Sequence, residues 1–113
     1  MSTGSTELAD PTRAASVFAA LGDSTRLAVV GRLSTDGPLS IARLTAGSNV
    51  TRQAITKHLA ILAGAGVVRG VRRGRERIWE LAPDQLSEAR AFLDEISHQW
   101  NQALDRLRTF VEE

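Results

Sequence analysis

Cysteine and tyrosine are absent from this sequence of 113 residues, and aromatic residues make up only 4% of it. Without cysteine, neither a disulfide nor a thiolate metal site can form. No Ser/His/Asp, Cys/His or paired-carboxylate constellation emerges, and the glycine motifs that cradle phosphates are missing. We therefore expect a protein that is not an enzyme and that uses no cofactor.

Long apolar runs are also missing. No segment approaches the ~20 apolar residues that span a bilayer, and the polar N-terminus has no signal-peptide core. These features predict a soluble cytoplasmic protein with no membrane partner. A small, polar N-terminal tail, residues 1–12, is expected to be disordered, and the rest of the chain is expected to form one compact domain.

Helical periodicity with well-placed caps and stops dominates the first half of the chain. Apolar residues at helical spacing run from Ala14 to Leu21, and Gly22 ends that segment. Three more helices are predicted, with caps at Asp23 or Ser24, at Ser40, and at Thr51. A turn containing glycine joins the third helix to the fourth, which is the pattern of a helix-turn-helix.

The fourth helix, from Thr51 to about Ala63, has two chemically different faces. Ile55, Leu59 and Leu62 fall on one face and must pack against the preceding helices. The opposite face carries side chains that can reach base edges or phosphates: Arg52, Gln53, Thr56 and Lys57. Taken alone, these four residues would suit an ordinary solvated face, but the turn before them and the arginines after them favour a DNA-reading helix.

Two extended segments rich in Val, Ile and Trp follow, and Gly74 separates them, which predicts a two-stranded hairpin. Arginines stand at its tip: Arg72, Arg73 and Arg75. Residues 49–79 carry seven basic groups and one acidic group, residues 80–113 carry three and eight, and residues 1–48 are balanced. Such a tip suits phosphates or a narrow minor groove, although basic hairpins also aid solubility or pair with another subunit's carboxylates.

With these elements in place, the sequence resembles the ArsR family of bacterial winged helix-turn-helix repressors. The resemblance covers roughly residues 14–83 and is carried by Leu-Gly-Asp-x-x-Arg from Leu21, Thr-Lys-His-Leu-x-x-Leu from Thr56, and the basic hairpin or wing. It implies a mainly α fold with a small β-hairpin, in which residues 13–82 form a winged helix-turn-helix DNA-binding domain. The DNA-binding residues expected are Thr51, Arg52, Gln53, Thr56, Lys57 and His58 on the helix and Arg72, Arg73 and Arg75 on the wing.

The sequence departs from the metal-sensing members of that family, which carry a cysteine pair in the third helix or a carboxylate and histidine cluster on the last. The third-helix segment LSIARLT, residues 39–45, has no thiol. On the last helix, Asp94, Glu95 and His98 stand together without a second histidine. A lone histidine beside carboxylates usually forms a surface ion pair, so we expect no metal site and an inducer that remains unknown.

The C-terminal segment, residues 83–113, predicts one long helix within the same compact domain. Its apolar residues alternate at spacings of three and four, as in a coiled coil. At 1.5 Å per residue, the helix would be about 40 Å long, more than the domain needs for its own core. We therefore expect a homodimer, the alternative being a stripe that packs within its own subunit. The expected interface residues are Leu86, Ala89, Leu93, Ile96, Trp100, Ala103, Leu107 and Phe110.

Two functions of different classes fit these features. The first is a homodimeric, sequence-specific transcriptional repressor that binds double-stranded DNA, with a recognition helix in the major groove and a basic wing on the adjacent backbone or minor groove. The alternative is a protein-interaction module that uses the same fold and hairpin to dock an acidic partner. Salt-dependent binding to random duplex DNA separates the two, because only the regulator requires it.

Overall fold

The computed structural model describes residues 11–112, which form a mainly α winged helix-turn-helix. Its elements are α1 (Pro11–Leu21), α2 (Ser24–Asp36), β1 (Leu39–Ser40), α3 (Ile41–Ala46), α4 (Arg52–Gly64), β2 (Val68–Arg73), β3 (Glu76–Leu81) and α5 (Pro83–Glu112). Helices α3 and α4 form the helix-turn-helix, and the β2–β3 hairpin forms the wing. The fold class expected from the sequence is thereby confirmed.

Side-chain caps fix the starts of three helices. Asp23, Ser40 and Thr51 precede α2, α3 and α4, and each side-chain oxygen accepts a hydrogen bond from the backbone N–H three residues later, at 3.0 to 3.2 Å. Each cap satisfies a donor that the first helical turn leaves open. Helix α1 begins at Pro11, before the boundary expected at residue 13, because proline suits the first turn. The rest of the expected tail lies outside the described residues.

The core lies where α4 meets α1, α2 and the sheet. Ile55, Leu59 and Leu62 are fully buried on the inner face of α4, as the sequence predicted. The other buried members of this cluster are Val17, Ala20, Val29, Leu33, Leu39, Leu44, Val67, Val68 and Ala89. Because one face of α4 is committed to this core, its opposite face is left for a ligand.

The wing belongs to a three-stranded antiparallel sheet in the order β1-β3-β2. The predicted hairpin is present, and its turn contains Gly74 with a φ of 63°. Strand β1 is an addition that sequence analysis did not predict, because two residues are too few to show an alternating pattern. It pairs Leu39 with Trp79 and Ser40 with Ile78, and so ties the start of α3 to the wing.

Helix α5 is divided between the core and the surface. Near its start, Ala89 is buried and Leu86 packs against the core. Phe92 meets Phe18 of α1 edge to face, with ring centroids 6.4 Å apart. Leu86 and Ala89 were expected in the dimer interface, but the structure packs Ala89 inside its own subunit and Leu86 partly against the same core. The apolar residues from Leu93 onward remain largely exposed.

Gly66, between α4 and β2, is a position where we expect a side chain to be costly. Its φ is +77°, and an added Cβ would lie 2.6 Å from Cγ of Gln85. Gly66→Ala should therefore lower the free energy of unfolding by roughly 1–3 kcal/mol, through backbone strain and the clash together. Urea unfolding at one fixed protein concentration measures the change.

Gly64→Ala is the matched control for that substitution. Gly64 is the last residue of α4, and nothing lies within 4 Å of the Cβ it would gain. Because alanine favours a helix over glycine, this variant should be as stable as the parent or more stable by up to about 1 kcal/mol. Equal unfolding midpoints for the two variants would contradict the role assigned to Gly66.

Candidate nucleic-acid interface

The outer face of α4 presents the polar residues that sequence analysis assigned to DNA. Arg52, Gln53, Thr56 and Lys57 are all exposed. Within residues 11–112, the side chains of Arg52, Gln53 and Lys57 have no hydrogen-bond or ion-pair partner. The Thr56 hydroxyl donates to the carbonyl oxygen of Arg52 at 2.8 Å and keeps its acceptor sites free. The hydroxyl of Thr51 caps the helix, which leaves its proton available to a phosphate.

His58 lies on a different side of α4 and is engaged within the protein. Its Nδ1 is 3.2 Å from Nη1 of Arg26 and 3.9 Å from Oδ2 of Asp23, and its side chain is only 21% exposed. Arg26 also donates from Nε to the carbonyl oxygen of Ala20 at 2.6 Å. The structure therefore does not bring His58 together with the other expected DNA-binding residues. The Asp-x-x-Arg motif and His58 instead fasten α4 to the junction of α1 and α2.

The Asp23 carboxylate is held in its ionised form. The main cause is the hydrogen bond from the backbone N–H of Arg26, which lowers the pKa of Asp23 below its usual value. Desolvation opposes this shift, and the charges of Arg26 and His58 support it. Because the folded pKa is depressed, the stability that Asp23 contributes is present above its unfolded pKa and is lost as pH falls through the folded pKa.

The strand register sorts the arginines of the wing onto two faces. Cross-strand partners point to the same side of a sheet, and neighbours along a strand point to opposite sides. The partners are Arg69 with Glu80, Arg72 with Arg77, and Arg73 with Glu76. On one face, therefore, each arginine stands opposite a carboxylate, and Nε of Arg69 donates to Glu80 at 2.7 Å. On the other face, two arginines stand opposite each other.

A cleft of about 350 Å³ lies between α4 and the wing and brings the two basic elements together. Arg52 and Thr56 line it from α4, and Arg72 and Arg75 line it from the hairpin. The rest of the described lining consists of Ser40, Ile41, Ala42, Glu76, Arg77 and Trp79. Four arginines thus surround a space to which the described chain contributes one carboxylate. Gln53, Lys57 and Arg73 do not line it.

Arg77 and Trp79 line this cleft although sequence analysis did not assign them to the site. Cζ of Arg77 lies 5.5 Å from the ring centroid of Trp79. Their spacing of two residues in a strand already implied that they share a face. Which face of the hairpin turns toward α4 depends on how the sheet packs against the helices, and the sequence alone does not contain that information.

We expected that Asp94, Glu95 and His98 would not form a metal site. All three residues are exposed on α5. Asp94 pairs with Arg90 at 3.8 Å, and Oε2 of Glu95 accepts from Gln99 at 3.0 Å. Among the described residues, no group of three or more potential metal ligands lies close together. No helix in the described range is both long enough and apolar enough to cross a membrane.

Comparison with known proteins agrees with this geometry. A model described as a helix-turn-helix domain matches residues 21–71. The HTH-type transcriptional regulator Rv2034 of Mycobacterium tuberculosis is 38% identical over 85 residues, which cover 75% of this chain and 76% of that protein. The HTH-type transcriptional repressor SmtB of the same species is 33% identical over 91 residues, 80% of this chain and 65% of that protein.

A solved structure extends the likeness to nearly the whole fold. The ArsR-like transcriptional regulator from Rhodococcus sp. RHA1 is 33% identical and has a TM-score of 0.75, over 88% of this chain and 92% of that chain. All three relatives are transcriptional regulators or repressors by name, which favours the first of the two functions expected from the sequence over a protein-interaction module. This chain belongs to the ArsR family of winged helix-turn-helix transcriptional regulators.

Proposed function

We propose that this regulator is a homodimeric repressor that reads operator DNA with α4 in the major groove and holds the adjacent backbone with its wing. The cleft in which Arg52 of α4 faces Arg72 and Arg75 of the wing carries this proposal. None of these three side chains has an ion-pair partner within residues 11–112. Positive charge that the protein does not neutralise itself is what binding to a polyanion requires.

Base readout is assigned to the part of α4 farthest from the core. The Gln53 amide can form two hydrogen bonds with adenine N6 and N7, and Arg52 can do the same with guanine O6 and N7. Lys57 reaches a neighbouring base edge or phosphate, Thr56 can accept a hydrogen bond from a base edge, and Thr51 supplies a hydroxyl proton at the start of the helix. Because an α-helix fits the major groove, all five residues can act on one half-site.

Backbone contacts are assigned to the wing. Arg72 and Arg75 line the cleft beside α4 and are the main candidates for phosphate or minor-groove contact. Arg73 points to the other face of the hairpin, opposite Glu76, and its contribution should be smaller. The wing therefore adds affinity that depends on salt concentration, while α4 adds sequence preference.

The proposed dimer uses the exposed part of α5. Leu93, Ile96, Trp100, Leu107 and Phe110 are exposed by 46 to 76% although they are large and apolar. Ala103 shares their spacing, and Leu104 and Val111 widen the same stripe. An exposed apolar face of this length indicates a surface that is buried against a partner. A second copy of the chain provides an identical face that can pack against it by two-fold symmetry. Such symmetry would place two α4 helices against two half-sites about 34 Å apart.

Selection of bound duplexes from a random pool tests the proposed function. We expect an inverted repeat with half-sites about one helical turn apart, bound with steep dependence on salt. A promoter that carries this site should be transcribed less in vitro when the protein is added, as repression requires. Failure to enrich any sequence, together with affinity that does not change with salt, would contradict the proposal.

A further inference from the structure

Two arginines oppose each other on the side of the hairpin that faces the cleft. Arg72 and Arg77 are partners in the β2–β3 register, and both line the cleft. Like charges directly opposite each other destabilise a sheet. Neither side chain has an ion-pair partner among residues 11–112, whereas Arg69 on the other face pairs with Glu80 at 2.7 Å. On one face of the hairpin, therefore, Arg69 is paired with a carboxylate, whereas the two opposing arginines on the face toward α4 have no such pair.

Trp79 contacts the Arg77 side chain, and Gly70 leaves space for it. Its Cζ lies 5.5 Å from the ring centroid of Trp79, within the range of cation–π attraction. Gly70 is the cross-strand partner of Trp79, and an added Cβ at Gly70 would lie only 2.9 Å from Nε of Arg77. Gly70 does not have a positive φ, so its backbone conformation does not require glycine. The missing side chain at this position instead leaves the space that Arg77 occupies.

We propose that Arg77 is a phosphate-binding residue, held in position by Trp79 and Gly70, and that it shares one backbone phosphate of the bound DNA with Arg72. A guanidinium group can form two hydrogen bonds with phosphate, and a shared phosphate would offset the repulsion between the two arginines. An arginine already fixed by its neighbours also loses less conformational freedom on binding. This inference rests on the proposed function and adds a DNA-binding residue outside the expected set.

Glu76 also lines the cleft, and its charge opposes an anion there. It stands opposite Arg73 in the register, at the turn end of the hairpin. Ile78 follows Glu76 by two residues in β3 and therefore shares its face of the strand. These two residues line a second pocket, separate from the cleft. Against four arginines, one carboxylate at the edge leaves the cleft with an excess of positive charge that suits a phosphate.

Arg77→Ala is the first test, with binding measured on operator and scrambled duplexes at several salt concentrations. Removal of a charge-assisted hydrogen bond to phosphate should weaken binding to both duplexes about tenfold for each subunit that makes the contact, or about a hundredfold in a dimer. Because Arg72 still contacts the shared phosphate, the slope of log affinity against log salt should shrink by less than about 0.9 for each subunit, or less than about 1.8 in a dimer. Arg69→Ala is the control, because it removes the same charge from the opposite face of β2, where Arg69 is paired with Glu80, and it should change affinity less than about twofold.

Gly70→Ala tests the positioning of Arg77 without any change of charge. The added methyl group must shift the Arg77 side chain, so this variant should weaken binding, though by no more than Arg77→Ala does. Because both substitutions act on one interaction with phosphate, the double variant should bind no more weakly than Arg77→Ala alone. Thermal unfolding of each variant checks that all of them remain folded at the temperature of the binding measurement.

The outcomes separate the assignment of Arg77 from the proposed function. If the unmodified protein and Arg69→Ala bind no duplex DNA, the proposed function itself fails. If both bind and Arg77→Ala matches them in affinity and salt slope, Arg77 does not bind phosphate, although the function stands. If the effects of Gly70→Ala and Arg77→Ala add up in the double variant, Gly70 does not act through Arg77.

Discussion

Trp100→Asp combined with Leu107→Asp should convert the proposed homodimer into a folded monomer. These side chains are 64% and 57% exposed in the single chain, so replacing them removes little from its own core. In the proposed dimer, the same change places four carboxylates in an apolar seam, where each unpaired charge is costly to bury. Even about 1 kcal/mol for each carboxylate would raise the dissociation constant on the order of a thousandfold.

Sedimentation equilibrium over a range of protein concentrations measures that constant, and circular dichroism verifies the helical content of the monomer. Gln102→Asp with Thr109→Asp is the matched control, because it adds the same charges at the same spacing to exposed positions on the other side of α5. The control should stay dimeric. If the variant with Asp at positions 100 and 107 has an unchanged dissociation constant, the apolar face of α5 is not the dimer interface.

Features of the fold that depend on neighbours in sequence were predictable. Each of the caps at Asp23, Ser40 and Thr51 acts on a backbone donor three residues away, so the sequence contains both partners of the interaction. The turn at Gly74 and the two extended segments beside it are equally local. These signals were sufficient for the order of all the elements except β1 and for the outer face of α4.

Features that depend on which element packs against which were not predictable. Spacings of three and four residues placed Leu86 and Ala89 in the same stripe as Leu93, but spacing does not distinguish cover by α1 of the same chain from cover by a second copy. The resemblance grouped His58 with the DNA-binding residues of the helix, yet His58 contacts Arg26 on α2 and Asp23 at the cap of α2. In both cases a partner distant in sequence decided the outcome.

Gln53→Ala and Arg75→Ala should weaken DNA binding in different ways, because one residue is assigned to bases and the other to the backbone. Gln53→Ala should cost roughly 1–3 kcal/mol for each base that it reads on the operator and leave binding to a scrambled duplex nearly unchanged. Arg75→Ala should weaken both duplexes by similar factors and shrink the salt slope by about 0.9 for each phosphate that is no longer neutralised. The pair therefore separates specificity from general affinity.

Measurement of both variants on both duplexes, at two or more salt concentrations, distinguishes these outcomes. Gln102→Ala supplies the control for Gln53→Ala, since it removes an exposed glutamine from α5 and should bind like the parent protein. Equal weakening on operator and scrambled duplexes for Gln53→Ala would mean that α4 is not the specificity element. An arginine in an A·T-rich minor groove reads shape, and in that case the effect of Arg75→Ala should grow when the sequence flanking the half-sites is A·T-rich. An effect that is the same for all flanking sequences would assign Arg75 to phosphate alone, because phosphates are identical at every step of the duplex.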